Sequence, residues 1–291
     1  MLRLVLPKGS LERATLQLFE DADLAVSRGS DVDYRGTIDD PRVAEVRILR
    51  PQEIPQYVAE GRFDVGITGR DWIEERSADV VTLTELHYSK ATARPIRAVL
   101  AVAADSPAQS VADLPPGLVV HTEYPELTRR YFVKHGIEAD VQLSYGATEA
   151  KVPDIADAVV EITETGRALR AAGLRILDTV LVSYTELIAS PGAYADPDKR
   201  KAMEQLQSLL TGVLEARGRV LLKLNVDAAD LDSVIGLLPA LKSPTVSKLF
   251  GEDGFAVETV VAKSEINTLI PELLEHGAAG IIELPISKIV H

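Results

Sequence analysis

The sequence predicts an α/β protein with a two-lobed core and a separate C-terminal domain. Three observations predict it. Short β-branched runs alternate with helical segments through most of the chain, and the runs end in glycine-rich or polar turns. From residue 212 onward the order changes to strand, helix, strand, strand, helix, strand.

The elements follow in order. LRLVL (residues 2–6) reads as a strand, PKGS as a turn, and LERATLQLFEDA as a helix with Ser10 as its expected N-cap. EVRILR is a second strand, PQEIPQYVAEG a short helix closing at Gly61, RFDVGITG a third strand closing at Gly69, and RDWIEER another helix. Such alternation implies a parallel, doubly wound sheet. A second lobe opens near residue 94 with IRAVLAVAA, LVVHTEYP, the helix ELTRRYFVKHG and the strand DVQLSYG. It closes with a strand at 158–162 and a helix at 167–172. Residues 180–190 (VLVSYTELIAS) read as one strand returning to the first lobe. Lobe I is thus expected over 1–93 and 180–211, lobe II over 94–179, and the third domain over 212–291. The third domain has the ferredoxin-like split βαβ order. Two α/β lobes joined by more than one crossing describe a protein that holds its ligand in a cleft.

Composition narrows the chemistry. The chain has 291 residues, 46% of them hydrophobic and 26% charged, which is the make-up of an ordinary soluble globular protein. It contains no cysteine, so disulfides, thiol nucleophiles and thiolate metal sites are excluded. His87, His121, His135, His276 and His291 show no metal-binding spacing. A net charge of −13 argues against a nucleic-acid surface. No run reaches the ~20 apolar residues of a membrane span. The N-terminal MLRLVLPKGSLE lacks a signal peptide's apolar region, so a cytoplasmic location is expected.

The candidate site residues sit at strand ends. In ADAVVEITETGRAL, Asp157 and Glu161 flank an apolar run, and Thr163, Thr165 and Gly166 follow. Carboxylates accept hydrogen bonds from vicinal hydroxyls, as on a ribose. A Thr-x-Thr-Gly turn opening a helix favours an anion, and Gly166 permits close backbone approach. The same residues also suit a plain helix cap with solvated acids. Lys8 and Gly9 follow the first strand, Arg50 the second, and Asp64, Gly69 and Arg70 bracket the third. Together they suggest an anion site at the carboxyl edge of a sheet, although each alone fits an ordinary turn. HTEYPELTRRYF adds Thr122, Glu123 and Tyr124 at a strand end. Its Arg129 and Arg130 point to different faces, so at most one would meet a ligand. SPTVS, with Ser243 and Thr245, is either a ligand loop or a bend before a strand.

LPKGSL, DVGITGRD, TEYP, ATEAKVPDIADAVVEITETG and LLPALKSPTVSKL followed by HGAAGIIELPISKI occur in this order. The whole chain thereby resembles the long form of ATP phosphoribosyltransferase. Its most specific piece is Glu149, then Ala156-Asp157-Ala158, an acid at 161, and Thr165-Gly166. There are departures: Glu161 stands where aspartate is usual, Ala168 where a hydroxyl residue is common, and AKVPDI replaces a glycine-bearing segment. The resemblance implies a periplasmic-binding-protein-like catalytic core and transfer of phosphoribosyl from phosphoribosyl diphosphate to N1 of ATP, the first step of histidine biosynthesis. It further implies Mg²⁺ carried mainly by substrate phosphates, inhibition by histidine, and a homo-oligomer running from dimer to hexamer. On this resemblance Asp157 and Glu161 orient the ribose, with Glu149 beside them. Thr163, Glu164, Thr165, Gly166 and Arg167 cradle the 5′-phosphate. Lys8, Gly9, Arg50 and Gly69 hold diphosphate or triphosphate, and Ser243 and Thr245 meet the effector. The alternatives are a two-lobed solute-binding protein and a catalytically silent regulatory subunit.

Overall fold

The structure, a computed structural model, describes residues 1–30, 32–88, 95–239 and 243–291. The expected opening of the second lobe near residue 94, and residues 240–242 just before SPTVS, lie outside this set. The chain divides into two compact units, Met1–Gln207 and Ser208–His291.

The first unit begins β1 (Leu2–Pro7), α1 (Glu12–Asp21), β2 (Val26–Ser27), β3 (Arg35–Ile38), β4 (Val43–Leu49), α2 (Ile54–Ala59), β5 (Val65–Gly69), α3 (Arg70–Arg76) and β6 (Val81–Leu86). It continues β7 (Ile96–Ala103), β8 (Leu118–Thr122), α4 (Pro125–His135), β9 (Ala139–Leu143), β10 (Ala158–Thr163), α5 (Arg167–Ala171) and β11 (Leu174–Ser183). Then come β12 (Thr185–Ala189), α6 (Pro191–Ala195) and α7 (Pro197–Ala216), the last of which runs on into the second unit.

Two sheets form: a seven-stranded one in the order β2-β3-β4-β1-β5-β12-β6, and a five-stranded one in the order β11-β7-β10-β8-β9. The seven-stranded sheet is parallel only at its centre, where β1 lies between β4 and β5. Its margins are antiparallel, because β3 folds back on β4 and β12 inserts between β5 and β6 from the other sheet. The wholly parallel sheet expected from strand–helix alternation is therefore corrected to a mixed one.

The single strand expected over 180–190 is two strands. β11 pairs with β7 as far as Ser183, β12 pairs with β5 from Thr185, and Tyr184 is the crossing. No glycine or proline marks the break. The burial does, since β12 is buried throughout while most of β11 is half-exposed. Ser10 is not the cap of α1 either: Leu11 occupies the N-cap without a side-chain hydrogen bond, and Gly9 C=O accepts from Glu12 N–H.

Each face of β7 serves a different core. Ala98, Leu100 and Val102 pack with Val120, Tyr124 and Phe132 under α4, whereas Val99 and Ala101 pack with Val159, Leu169 and Leu174 under α5. This period-two alternation fixes which side chains of β10 share a face with the turn that follows it.

The second unit carries β13 (Arg219–Asp227), α8 (Leu231–Leu237), β14 (Thr245–Lys248), β15 (Gly254–Ala262), α9 (Ile266–Glu275) and β16 (Ala278–Pro285). Its antiparallel sheet has the order β14-β15-β13-β16, the ferredoxin-like arrangement. Val220, Leu222, Val257 and Val261 of the sheet bury against Val234 of α8 and Leu269 and Leu273 of α9. Val246, Ile282 and Leu284 are left exposed on the strands.

Candidate functional site

Parallel pairing of β4, β1 and β5 brings three strand ends to one edge of the seven-stranded sheet. Arg50 follows β4, Lys8 and Gly9 follow β1, and Gly69 closes β5. Gly9 has φ +91°, and a β-carbon there would lie 3.7 Å from an Arg50 guanidinium nitrogen. The Lys8 ammonium stands 4.1 Å from the centre of the Tyr34 ring, a cation–π contact that keeps the amine on this edge. The Arg50 side chain has no hydrogen-bond or ion-pair partner among the described residues. Gly69 has no room for a side chain, since a β-carbon would fall 2.1 Å from Asp71 Oδ1.

Asp64 and Arg70, which the sequence placed around the same strand, have other partners. Asp64 is buried at the opposite end of β5, where it accepts hydrogen bonds from Arg3 and, at 3.0 Å, from Lys199. Burial pushes its carboxyl up, but those donors outweigh burial and hold it below the usual range. Arg70 is shared between Glu74 and Glu186.

On the five-stranded sheet β8 and β10 run parallel, so Thr122–Glu123 and Thr163–Gly166 leave the same edge. Gly166 N–H donates to Thr163 Oγ1 at 2.8 Å, which closes a tight turn, and Gly166 itself has φ +72°. A β-carbon on Gly166 would press at 3.0 Å on Arg170 and 3.1 Å on Ile176. Arg170 braces the turn from below by donating to Thr165 C=O at 3.1 Å. Arg167 is exposed at the start of α5, its backbone N–H 3.4 Å from Thr165 Oγ1, and Glu164 lies half-buried in the turn.

Glu161 is where the acids converge. Burial raises its carboxyl pKa; the Ile162 N–H opposes this at 3.0 Å, the nearby charges of Glu123 and Glu149 add to it, and a hydrogen bond with Thr148 offsets part. Glu149 and Thr148 belong to a short 3-10 turn, residues Thr148–Lys151, pinned by Ser144 Oγ to Thr148 Oγ1 at 2.8 Å and Lys151 Nζ to Ser144 Oγ at 2.6 Å. Glu161, Glu149 and Glu123 thus share one neighbourhood beside the Thr163–Gly166 turn.

Asp157 is not part of it. It precedes β10 at the far end of the strand, and its Oδ2 accepts from Val119 N–H at 2.7 Å. Four strand residues at about 3.3 Å each separate it from Glu161 by about 13 Å. The two acids share a face but not an end, so the expectation that both meet one ribose does not fit this geometry. Arg129 and Arg130 also turn away from the site. Arg129 bonds Glu126 and Val141 C=O, and Arg130 bonds Ser77 Oγ and Glu74 C=O.

The two sheet edges are joined where α3 meets α4. Tyr124 O–H donates to Asp71 Oδ2 at 2.9 Å, Ser183 Oγ donates to Asp71 Oδ1 at 2.7 Å, and Trp72 packs on Tyr124 with ring centres 4.4 Å apart. Burial raises the pKa of Asp71 and pushes the Tyr124 hydroxyl well above its ordinary value. Glu75 reaches across to cap α4, accepting from Glu126 N–H at 3.2 Å and Leu127 N–H at 2.9 Å. The strand ends after β5, β8 and β11 are therefore held at one place. Sequence reasoning missed the roles of Asp71, Glu75, Thr148 and Ser183, and no local motif announces them.

In the second unit Ser243 and Thr245 line a cavity of about 280 Å³ with Arg219, Glu258 and His291. Arg219 and His291 both face Glu215, and Lys223 pairs with Glu258 at 2.8 Å. Among the described residues no three His, Asp or Glu side chains gather closely enough to hold a metal ion, and no helix is long and apolar enough to cross a membrane.

Comparison with known proteins adds the following. Residues 50–212 match the family model described as ATP phosphoribosyltransferase, and residues 216–288 match the model described as the C-terminal domain of the same HisG family. An ATP phosphoribosyltransferase from Desulforudis audaxviator is 49% identical over 291 residues, covering 99% of both chains. One from Solibacter usitatus is 46% identical over 290 residues, covering 100% of this chain and 99% of the relative. Among solved structures, the ATP phosphoribosyl transferase (HisG:HisZ) complex from Thermotoga maritima contains a chain similar at TM-score 0.61 and 25% identity. The match covers 72% of this chain and 97% of that one.

Proposed function

The chain belongs to the ATP phosphoribosyltransferase family, and from that premise we propose how its residues carry the reaction. The activity is transfer of phosphoribosyl from phosphoribosyl diphosphate to N1 of ATP with release of diphosphate, the first step of histidine biosynthesis. Adenine N1 already has a lone pair, so the protein needs no device to create a nucleophile. It must align N1 with the anomeric carbon and stabilise the charge that leaves.

The ribose 5′-phosphate sits in the turn formed by Thr163, Glu164, Thr165, Gly166 and Arg167. Glu161 accepts hydrogen bonds from the ribose hydroxyls, with Glu149 beside it, and their negative charge favours the positive charge that develops on the sugar. Lys8, Gly9, Arg50 and Gly69 receive the diphosphate or the nucleotide triphosphate on the opposing edge. The observation that carries this reading is the convergence of Glu161 and Glu149 beside the Thr163–Gly166 turn. Asp157 organises the start of β10 instead of touching the sugar.

Magnesium would be carried mainly by the substrate phosphates, with Glu161 and Glu149 the carboxylates beside the sugar-phosphate turn, and would offset the phosphate charge. The described residues offer no dedicated cage, and no step depends on one.

Catalysis is assigned to the two-sheet unit and regulation to the C-terminal unit. We assign histidine to the cavity beside Ser243 and Thr245; its lining residues Arg219 and Glu258 already pair with Glu215 and Lys223, so the two hydroxyls and exposed backbone would meet the charged groups of the amino acid. The exposed apolar strand residues Val246, Ile282 and Leu284 support self-association, and the hexamer built from dimers is what the family resemblance implies. A cytoplasmic location fits a biosynthetic enzyme family.

The test is direct detection of phosphoribosyl-ATP and diphosphate from the two substrates, followed by paired variants. Glu161→Gln should lower kcat/KM for phosphoribosyl diphosphate by roughly ten- to a hundredfold, the loss of one charge-assisted hydrogen bond. Asp157→Asn should leave the KM for that substrate within about threefold. A larger loss for Asp157→Asn than for Glu161→Gln would overturn the assignment.

A further inference from the structure

Arg97 was not singled out by any sequence motif, and the register of the five-stranded sheet places it beside the phosphate turn. β7 runs antiparallel to β10, and Arg97 lies directly opposite Thr163, with Val99 opposite Glu161. Directly opposed residues project from the same face with β-carbons about 4.5–5.5 Å apart. That face is the one covered by α5, because Val99 and Ala101 pack with Val159 and Leu169. Arg97, Thr163 and Glu161 therefore stand together under the turn that ends at Gly166.

Arg97 is half-buried, and its guanidinium makes no hydrogen bond or ion pair with any other described residue. On α5, which covers this face, Arg170 is committed to Thr165 C=O. Partial burial makes a cation unfavourable unless an anion compensates it, which suits a place where an anionic ligand arrives. Glu123, Glu149 and Glu161 make the surroundings acidic, and an incoming phosphate would be repelled unless a fixed cation stood next to it. A guanidinium suits that place because its planar fork donates two parallel hydrogen bonds to phosphate oxygens.

We propose that Arg97 binds the 5′-phosphate of the ribose from below the Thr163–Arg167 turn and so fixes the sugar against Glu161. The inference rests on the reading of that turn as the phosphate seat and adds the cation that the turn itself lacks on its buried side. It predicts that Arg97 discriminates for a 5-phosphorylated ribose over the diphosphate portion of the same substrate.

The experiment measures inhibition of the full-length enzyme by ribose 5-phosphate and, separately, by inorganic diphosphate, in the wild type, Arg97→Gln, Arg97→Lys and Thr165→Val. The expected result is a ten- to hundredfold weaker effect of ribose 5-phosphate in Arg97→Gln and a comparable rise in KM for phosphoribosyl diphosphate. Diphosphate inhibition and the KM for ATP should stay within about threefold, the thermal midpoint should be unchanged, and Arg97→Lys should recover part of the loss. If Thr165→Val weakens ribose 5-phosphate and a folded Arg97→Gln does not, the turn stands and Arg97 is wrongly assigned. If neither variant weakens it, both the turn and Arg97 are wrong. Equal losses toward ATP, diphosphate and ribose 5-phosphate in Arg97→Gln would also overturn the proposal, because a structural role predicts that pattern.

Discussion

In the role proposed for it, Glu161 has to meet two opposing demands. To accept from ribose hydroxyls through both oxygens it must be ionised, while burial and the charges of Glu123 and Glu149 favour its proton. Its folded pKa lies above the ordinary glutamate value, so activity should fall on the acid side at a higher pH than an exposed glutamate would give. The pH profile of kcat/KM for phosphoribosyl diphosphate checks this: the wild type should show the acid limb and Glu161→Gln should lack it. For stability, a raised folded pKa means a contribution fully present below the unfolded value and lost as pH rises through the folded one. Glu161→Gln should consequently be no less stable than the wild type at neutral pH, although it is less active. The sequence showed Glu161 as an acid near a glycine turn. It also offered Asp157 on equal terms, because spacing along a strand reveals a shared face and not which end meets the ligand. Arg97 stayed hidden for the complementary reason: its closeness to Thr163 comes from antiparallel pairing between distant segments.

At the level of elements, the strands with glycine or polar turns at their ends were legible. Gly9 and Gly166 both take positive φ where the chain turns at the candidate site. The hidden elements were those whose boundaries depend on tertiary pairing. β11 and β12 form one apolar-rich run in sequence, yet they belong to different sheets, and nothing local distinguishes Tyr184 as the crossing. Around that crossing, Asp71 collects the Ser183 and Tyr124 hydroxyls and ties three strand ends together. Tyr124→Phe deletes one of those bonds and leaves a buried carboxylate oxygen short of a donor, a loss of about 1–3 kcal/mol. Equilibrium denaturant unfolding should register it. An unchanged unfolding midpoint would show that the Asp71–Tyr124 contact does not join the lobes energetically.

For the molecule as a whole, the two-unit division separates the residues assigned to chemistry from those assigned to control. The ferredoxin-like unit was readable from the order of its elements alone, since its strands carry regular alternation and its helices a clear apolar face. If histidine binds beside Ser243 and Thr245, the double variant Ser243→Ala/Thr245→Val should need about tenfold more histidine for half-inhibition, the loss of about 1.4 kcal/mol of hydrogen bonding. Unchanged inhibition would place the effector elsewhere.

The claim on which the rest depends is that the sugar phosphate is held where β10 ends. A crystal structure of the enzyme with phosphoribosyl diphosphate tests it most directly. The 5′-phosphate oxygens should lie within hydrogen-bond distance of backbone N–H groups between Thr163 and Arg167, with a ribose hydroxyl on Glu161. A sugar phosphate bound at the Asp157 end of β10, or held only by Lys8 and Arg50, would contradict it.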